Sequence, residues 1–425
     1  MRSSNKPHEE DQRQQAMAAA DDDYAAADED YDAAAALAVF PDSGTGGVRD
    51  LVESGVTTVP LMYRRPTTPP SSATTTYALA IPSIDLSLPR SETVALVRAA
   101  AHSCGFFQVT NHGVPAGTID SALSAARAFH EQSLAARSAL APSSAATYCT
   151  IPIPPPQPGQ RATMPLLPWR DSLILRFDDP AAELGLDRLP APCRDALLEY
   201  RRSATAFGME IAGLLSEALG VGAERLERVM QVQGSPLACH YYPPCPEPAR
   251  VVGGREHTDA CLFTLLAQDG VGGLQIRLDD GHGGDGEWVD VTPMAGALLV
   301  NVGDVLQVVS NDYYKSVEHR VEIKSTQDAR VSIAFFFNPA REDESYWFGP
   351  LPELVTAETP ARFQTLTLPE LINYKRKLGH ARPTLDRFRV REKKEAEKPR
   401  RGARTLRKVA ADLYHSAKRW ACMIR

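Results

Sequence analysis

The spacing of apolar and polar positions changes character along the chain. Over residues 237–338 apolar residues come in short runs broken by Gly, Asp and Pro, which predicts an all-β module. Ala260-Cys261-Leu262-Phe263-Thr264-Leu265-Leu266 reads as a buried strand. Val317, His319 and Val321 share one face of a second strand by its period of two. Arg330 and Ser332 share a face where a third run, Ile333-Ala334-Phe335-Phe336-Phe337, begins. Leu274 to Ile276 and Trp288 to Val291 flank a Gly- and Asp-rich stretch at 279–286, the composition of a hairpin turn. That stretch lacks the Lys-Ser/Thr and following helix of a phosphate cradle.

Upstream the period lengthens. Residues 81–86 predict a short strand, and a helix follows from Ser91-Glu92 to Ala101. Residues 106–110 predict another strand, 116 to about 140 a second helix, and 195–219 a long helix that Gly220 ends. The sum is a mixed α/β chain, mainly β, with helices buttressing a β core.

The ends differ in composition. Residues 1–47 are acidic and Ala-rich with little to bury, which predicts a disordered leader. Residues 48–80 form a second leader with a Pro/Ser/Thr-rich linker, 81–230 the helical and β region, 231–345 the β module, and 346–390 C-terminal helices. Residues 391–425 are a basic tail with twelve Lys/Arg against four Asp/Glu, and Leu406, Val409, Leu413, Ala417 and Trp420 recur at helical spacing. Such a tail could contact a membrane surface or an acidic partner, although a solvated appendage is the plainer reading.

At 425 residues and 43% apolar content the chain can bury a sizeable core. A net charge of −7 argues against nucleic acid as a partner and favours a small-molecule substrate. Neither a secretory h-region nor an apolar run of membrane-spanning length is present in the sequence. Seven Cys without a Cys-x-x-Cys pair suggest a reduced compartment, so the expected location is cytoplasmic.

His257-Thr258-Asp259 and His319 are the candidate chemistry. Two imidazoles and one carboxylate on one face form the metal site of non-haem Fe(II) oxygenases, which leaves positions open for co-substrate and O2. His257 adjoins the apolar run 260–266, and His319 should point inward with two valines. Arg330 at the start of a core strand needs an anion, and the distal carboxylate of a 2-oxo diacid would satisfy its planar fork.

Several stretches occur in the order of a known family: CGFFQVTNHGV (104–114), WRDSL (169–173), CHYYPPCPEP (239–248), VGGLQI (271–276), WVDVTP (288–293), GALLVNVGDVLQVVSND (296–312), KSVEHRV (315–321) and RVSIAFFFNP (330–339). The region from about 82 to 390 resembles plant 2-oxoglutarate/Fe(II)-dependent dioxygenases. It looks most like the 1-aminocyclopropane-1-carboxylate oxidase homologue branch, which includes DIBOA-glucoside dioxygenase. The leader FPDSGTGGVRDLVESGVTTVP (40–60) is similar to that branch as well.

The resemblance implies a double-stranded β-helix, or jelly roll, with Fe(II) held by His257, Asp259 and His319. It implies that Arg330, Ser332 and Tyr242 hold the far carboxylate of 2-oxoglutarate, with O2 as oxidant and ascorbate as reductant. Asn111-His112-Gly113 and Trp169-Arg170-Asp171 match too and read as structural turns and braces. His240 stands where many relatives have Asn, so a co-substrate contact and a plain strand residue are both open. Residues 138–168 depart from the family's pattern. The implied activity is hydroxylation, or oxidative demethylation, of a plant specialised metabolite or hormone. An ethylene-forming 1-aminocyclopropane-1-carboxylate oxidase and a non-catalytic binding paralogue are the alternatives.

Overall fold

In the computed structural model the described residues are 47–65, 81–140, 146–149, 166–177, 186–278, 286–339, 346–378 and 384–390. The expected disordered leader, apart from Gly47, and the basic tail lie outside them. Every element below belongs to one compact unit, Met1–Phe388.

Fourteen strands are described. Those that build the site are β2 Phe106–Thr110, β4 Asp171–Leu175, β5 Gln233–Tyr242, β6 Gly254–His257, β7 Phe263–Gln268, β8 Leu274–Leu278, β10 Leu298–Val302, β11 His319–Val321 and β12 Arg330–Asn338. With β1 Ser83–Asp85, β3 Ala146–Cys149 and β9 Glu287–Asp290 they form two sheets. The larger runs β1-β2-β10-β7-β12-β5-β4-β3 and the smaller β6-β11-β8-β9. All pairings are antiparallel except β1 with β2. This is the jelly roll that the sequence implied.

The large sheet is buried on both faces, which explains why its strands read as unbroken apolar runs. On β12, Val331, Ile333, Phe335 and Phe337 join the core on the helix side, while Arg330, Ser332, Ala334 and Phe336 line a cavity on the other. β7 repeats the alternation with Phe263, Leu265 and Ala267 against Thr264 and Leu266, and β10 with Leu298, Val300 and Val302 against Leu299 and Asn301. Polar residues within these strands therefore fall on the cavity side. Helices α2 Arg90–Ser103, α3 Ala116–His130 and α5 Ala191–Ala218 cover the apolar face, with α5 packed on both others.

The leader is part of the core. Helix α1 Val48–Glu53 points its first amides at Asp171, which accepts from Val48 N at 2.9 Å and Arg49 N at 3.0 Å. Val48, Val59, Met62 and Tyr63 are buried, and Tyr63 meets Trp169 edge to face at 5.3 Å. Trp169 in turn donates to Pro243 O at 3.2 Å.

Three boundaries differ from the pattern. The helix expected over 116–140 breaks after His130, and Ser133 caps a separate short helix, α4 Leu134–Ser138, by accepting from Ala136 N. The helix expected from 195 begins at Ala191, directly after Pro190, whose fixed φ suits a helix start. The run 260–266 is strand only from Phe263 onward, because Ala260 to Leu262 carry the chain away from Asp259.

Candidate metal and co-substrate site

Register brings the two histidines together: His319 on β11 is the direct cross-strand partner of His257 on β6. Their rings lie 4.2 Å apart between centroids, and the Nε2 atoms stand 3.6 and 3.7 Å from Oδ1 of Asp259. Among the described residues this is the one cluster of three metal-ligating groups whose donor atoms converge within 4.8 Å.

The surroundings prepare those donors for a cation. His257 Nδ1 contacts Arg255 O at 2.7 Å, and His319 Nδ1 contacts Val317 O at 3.3 Å. A carbonyl only accepts, so Nδ1 carries the proton and each Nε2 presents its lone pair as a donor to an ion. Asp259 Oδ2 accepts from the Thr264 hydroxyl at 2.6 Å and from Asn301 Nδ2 at 2.9 Å, which leaves Oδ1 toward the imidazoles. Burial, then the neighbouring His319, holds the His257 imidazole well below its ordinary value. Burial pushes the Asp259 carboxyl up, but His319 and His257, with the hydrogen bonds from Thr264 and Asn301, hold it below its ordinary value. Two neutral nitrogens and one carboxylate oxygen fit a borderline divalent metal such as Fe(II).

Behind the site the loop bearing Asp259 is clamped. Asp304, the first residue of α7 Asp304–Val309, donates its amide to Asp259 O at 2.7 Å. Its carboxylate accepts from Thr258 at 3.1 Å and Ser316 at 2.7 Å and pairs with Lys375. Gly303 is required here, because a Cβ at that position would stand 2.1 Å from Cys261 O.

A few residues along the same cavity, Arg330 pairs in register with Tyr242, and Ser332 with His240. Arg330 donates to Ser332 Oγ and Gln268 Oε1, both at 2.9 Å, while its Nε has no partner. It is 4% exposed, and no carboxylate among the described residues pairs with it. A buried guanidinium with only neutral partners is an anion site. Its carbon lies 4.8 Å from the Tyr242 ring centroid. Burial pushes the Tyr242 phenol up, but Arg170 and Arg330, with hydrogen-bonding contact from Arg170 and Ser332, hold it below the ordinary value.

His240 Nδ1 meets Ser172 Oγ at 2.9 Å, and burial, followed by the charges of Arg170 and Arg330, keeps the ring neutral. Trp169 and Asp171 are braces as read. Arg170 is more than that, since it lines the cavity with His240, Tyr242 and the metal-ligating groups. His112 is a turn residue, contacting Gly296 O at 3.0 Å through Nε2 and accepting from Val114 N through Nδ1. Thr264, Gln268 and Asn301 were missed from sequence. Their signal was available: each is a polar residue at a cavity-side position of a strand otherwise apolar. The cavity encloses about 500 Å³ including its mouth and is bounded by both sheets, with Phe106, Leu299, Val321 and Phe336 as apolar walls.

Comparison with known proteins agrees with this geometry. The 2OG-Fe(II) oxygenase superfamily matches residues 233–339, and the N-terminal region described as non-haem dioxygenase in morphine synthesis matches 81–191. The chain is 36% identical to 1-aminocyclopropane-1-carboxylate oxidase homolog 11 of Arabidopsis thaliana over 77% of its length and 90% of the relative's. A homolog from Solanum lycopersicum is 33% identical over 85% of this chain and 98% of its own. The crystal structure of JOX2 in complex with 2OG, Fe and JA superposes with a TM-score of 0.64 at 29% identity, covering 77% of this chain and 93% of that one. A rice dioxygenase for auxin oxidation gives 0.60 at 26%, covering 73% and 100%. The fold is that of a 2-oxoglutarate/Fe(II)-dependent dioxygenase, an oxidoreductase that uses iron and 2-oxoglutarate on small molecules. Within that superfamily the chain belongs to the plant branch of 1-aminocyclopropane-1-carboxylate oxidase homologues. Among the described residues no helix is long and apolar enough to cross a membrane.

Proposed function

We propose that this dioxygenase hydroxylates, or oxidatively demethylates, a plant specialised metabolite or hormone in the cavity between the two sheets. His257, Asp259 and His319 are assigned as the iron ligands, and Arg330, Ser332 and Tyr242 as the clamp on the far carboxylate of 2-oxoglutarate. The observation that carries the reading is one cavity holding both three converging metal donors and a buried Arg330 that has no carboxylate partner among the described residues. When bound, iron and 2-oxoglutarate supply the oxidising chemistry, consuming O2 and releasing succinate and CO2.

The chain's own residues contribute position and dryness. The backbone carbonyls of Arg255 and Val317 fix both imidazole tautomers, and Thr264 and Asn301 fix the carboxylate. Ser332 and Gln268 hold the Arg330 fork flat against its strand, ready for a bidentate contact. Phe106, Leu266 and Phe336 exclude water from the reacting centre. Ascorbate is assigned as reductant by the family resemblance; the cytoplasm is assigned as location, and the free, buried Cys104, Cys193, Cys239, Cys245 and Cys261 support that location.

The test is succinate release from 2-oxoglutarate with Fe(II) and ascorbate across a panel of plant metabolites. Stimulation by one compound class, lost in His257→Ala, is expected. Ethylene from 1-aminocyclopropane-1-carboxylate without any need for 2-oxoglutarate would replace this reading with the oxidase.

A further inference from the structure

Resting on that reading, we infer that Arg170 is an anion-binding residue of the substrate subsite, so that the organic substrate carries a carboxylate or equivalent acidic group. Two guanidinium groups line the cavity, Arg170 and Arg330, against one carboxylate, Asp259. A divalent iron and a 2-oxoglutarate dianion offset each other, and Asp259 offsets one guanidinium. One positive charge is left over, and Arg330 is the one its strand neighbours aim at the co-substrate.

Among the described residues Arg170 finds no other counter-charge. No acidic side chain among the described residues forms an ion pair with it, and the preceding segment, 150–165, contains neither Asp nor Glu. Its guanidinium carbon lies 6.0 Å from the Tyr242 ring centroid, a long cation–π approach that attracts less strongly than an acid would. It lines the same cavity as Arg330, Tyr242 and the three converging donors. A substrate group seated there would hold the rest of the molecule beside the iron. Asp171, next in sequence, is fixed by the amides of α1, so the backbone that presents Arg170 is rigid.

The experiment uses the full chain loaded with Fe(II) and 2-oxoglutarate under argon. Matched pairs of small arylacetic acids and their primary amides are titrated by ligand-observed NMR against wild type, Arg170→Gln and Arg170→Lys. The acids should bind at least about tenfold more tightly than their amides to wild type, and Arg170→Gln should erase the preference while Arg170→Lys keeps part of it. Equal binding of acid and amide, no binding of either, or a preference that survives Arg170→Gln would overturn the assignment. The dioxygenase reading fails separately, on a different signal, if loaded wild type shows no visible absorption from 2-oxoglutarate chelated to Fe(II).

Discussion

His257 and His319 are direct cross-strand partners of β6 and β11, and both Nε2 atoms face one oxygen of Asp259. A single register pair thus sets two of the three donors proposed for the metal. The third is set by hydrogen bonds, since Asp259 lies beyond the end of β6 and depends on Thr264 and Asn301 for its orientation.

Thr264→Val keeps the shape of the side chain and deletes the donor to Asp259 Oδ2. Metal affinity should fall by about 10- to 100-fold with the fold intact. Calorimetric titration with Mn(II), which tolerates air, reads this directly; unchanged affinity would mean that Thr264 does not orient the ligand.

Arg330→Lys retains the charge and loses the planar fork. The KM for 2-oxoglutarate should rise at least about tenfold, with a smaller effect on kcat, because the clamp holds the end of the co-substrate that does not react. Initial rates at varied 2-oxoglutarate separate the two parameters.

Tyr63 anchors the leader against Trp169, and its hydroxyl is buried without a partner among the described residues. Tyr63→Ala should cost about 3–5 kcal/mol by leaving a cavity, whereas Tyr63→Phe should be neutral or slightly stabilising. Urea unfolding of the three proteins checks both signs.

His130 is fully buried, stacked on Tyr241 at 5.3 Å, and donates through Nδ1 to Ala126 O at 2.7 Å. Burial pushes its imidazole down from 6.5 to about 4. Between those values the unfolded chain binds a proton that the folded chain refuses, so stability is complete above pH 6.5 and declines as pH falls toward 4. The loss is on the order of 3 kcal/mol at the acid end. Chemical denaturation of wild type and His130→Gln across that range should show the variant's acid slope reduced; parallel slopes would exclude His130 as its source.

Much of this was legible in the chain. His257, Asp259, His319, Arg330, Ser332 and Tyr242 were all readable because strand period and motif order carry them, and the structure brings them to one cavity. What escaped depends on contacts distant in sequence. Asn301 reaches Asp259 across 42 positions and Gln268 reaches Arg330 across 62, and the local pattern marks each as a polar position on a strand without encoding its partner. A leader lying against the catalytic domain was expected, but its partners were hidden, because Val48 to Tyr63 find Asp171 and Trp169 only once the sheet exists. The break after His130 was missed because helix propensity runs on through Leu134–Ser138, and the Ser133 cap decides the matter locally.

The decisive experiment is anaerobic addition of Fe(II) and 2-oxoglutarate to the full chain, followed by visible absorption. Wild type should develop the charge-transfer band of a chelated 2-oxo acid, His257→Ala should develop none, and Arg330→Ala should need far more 2-oxoglutarate to reach the same band. A band of equal strength and equal 2-oxoglutarate dependence in all three proteins would place the metal and its co-substrate somewhere other than these residues.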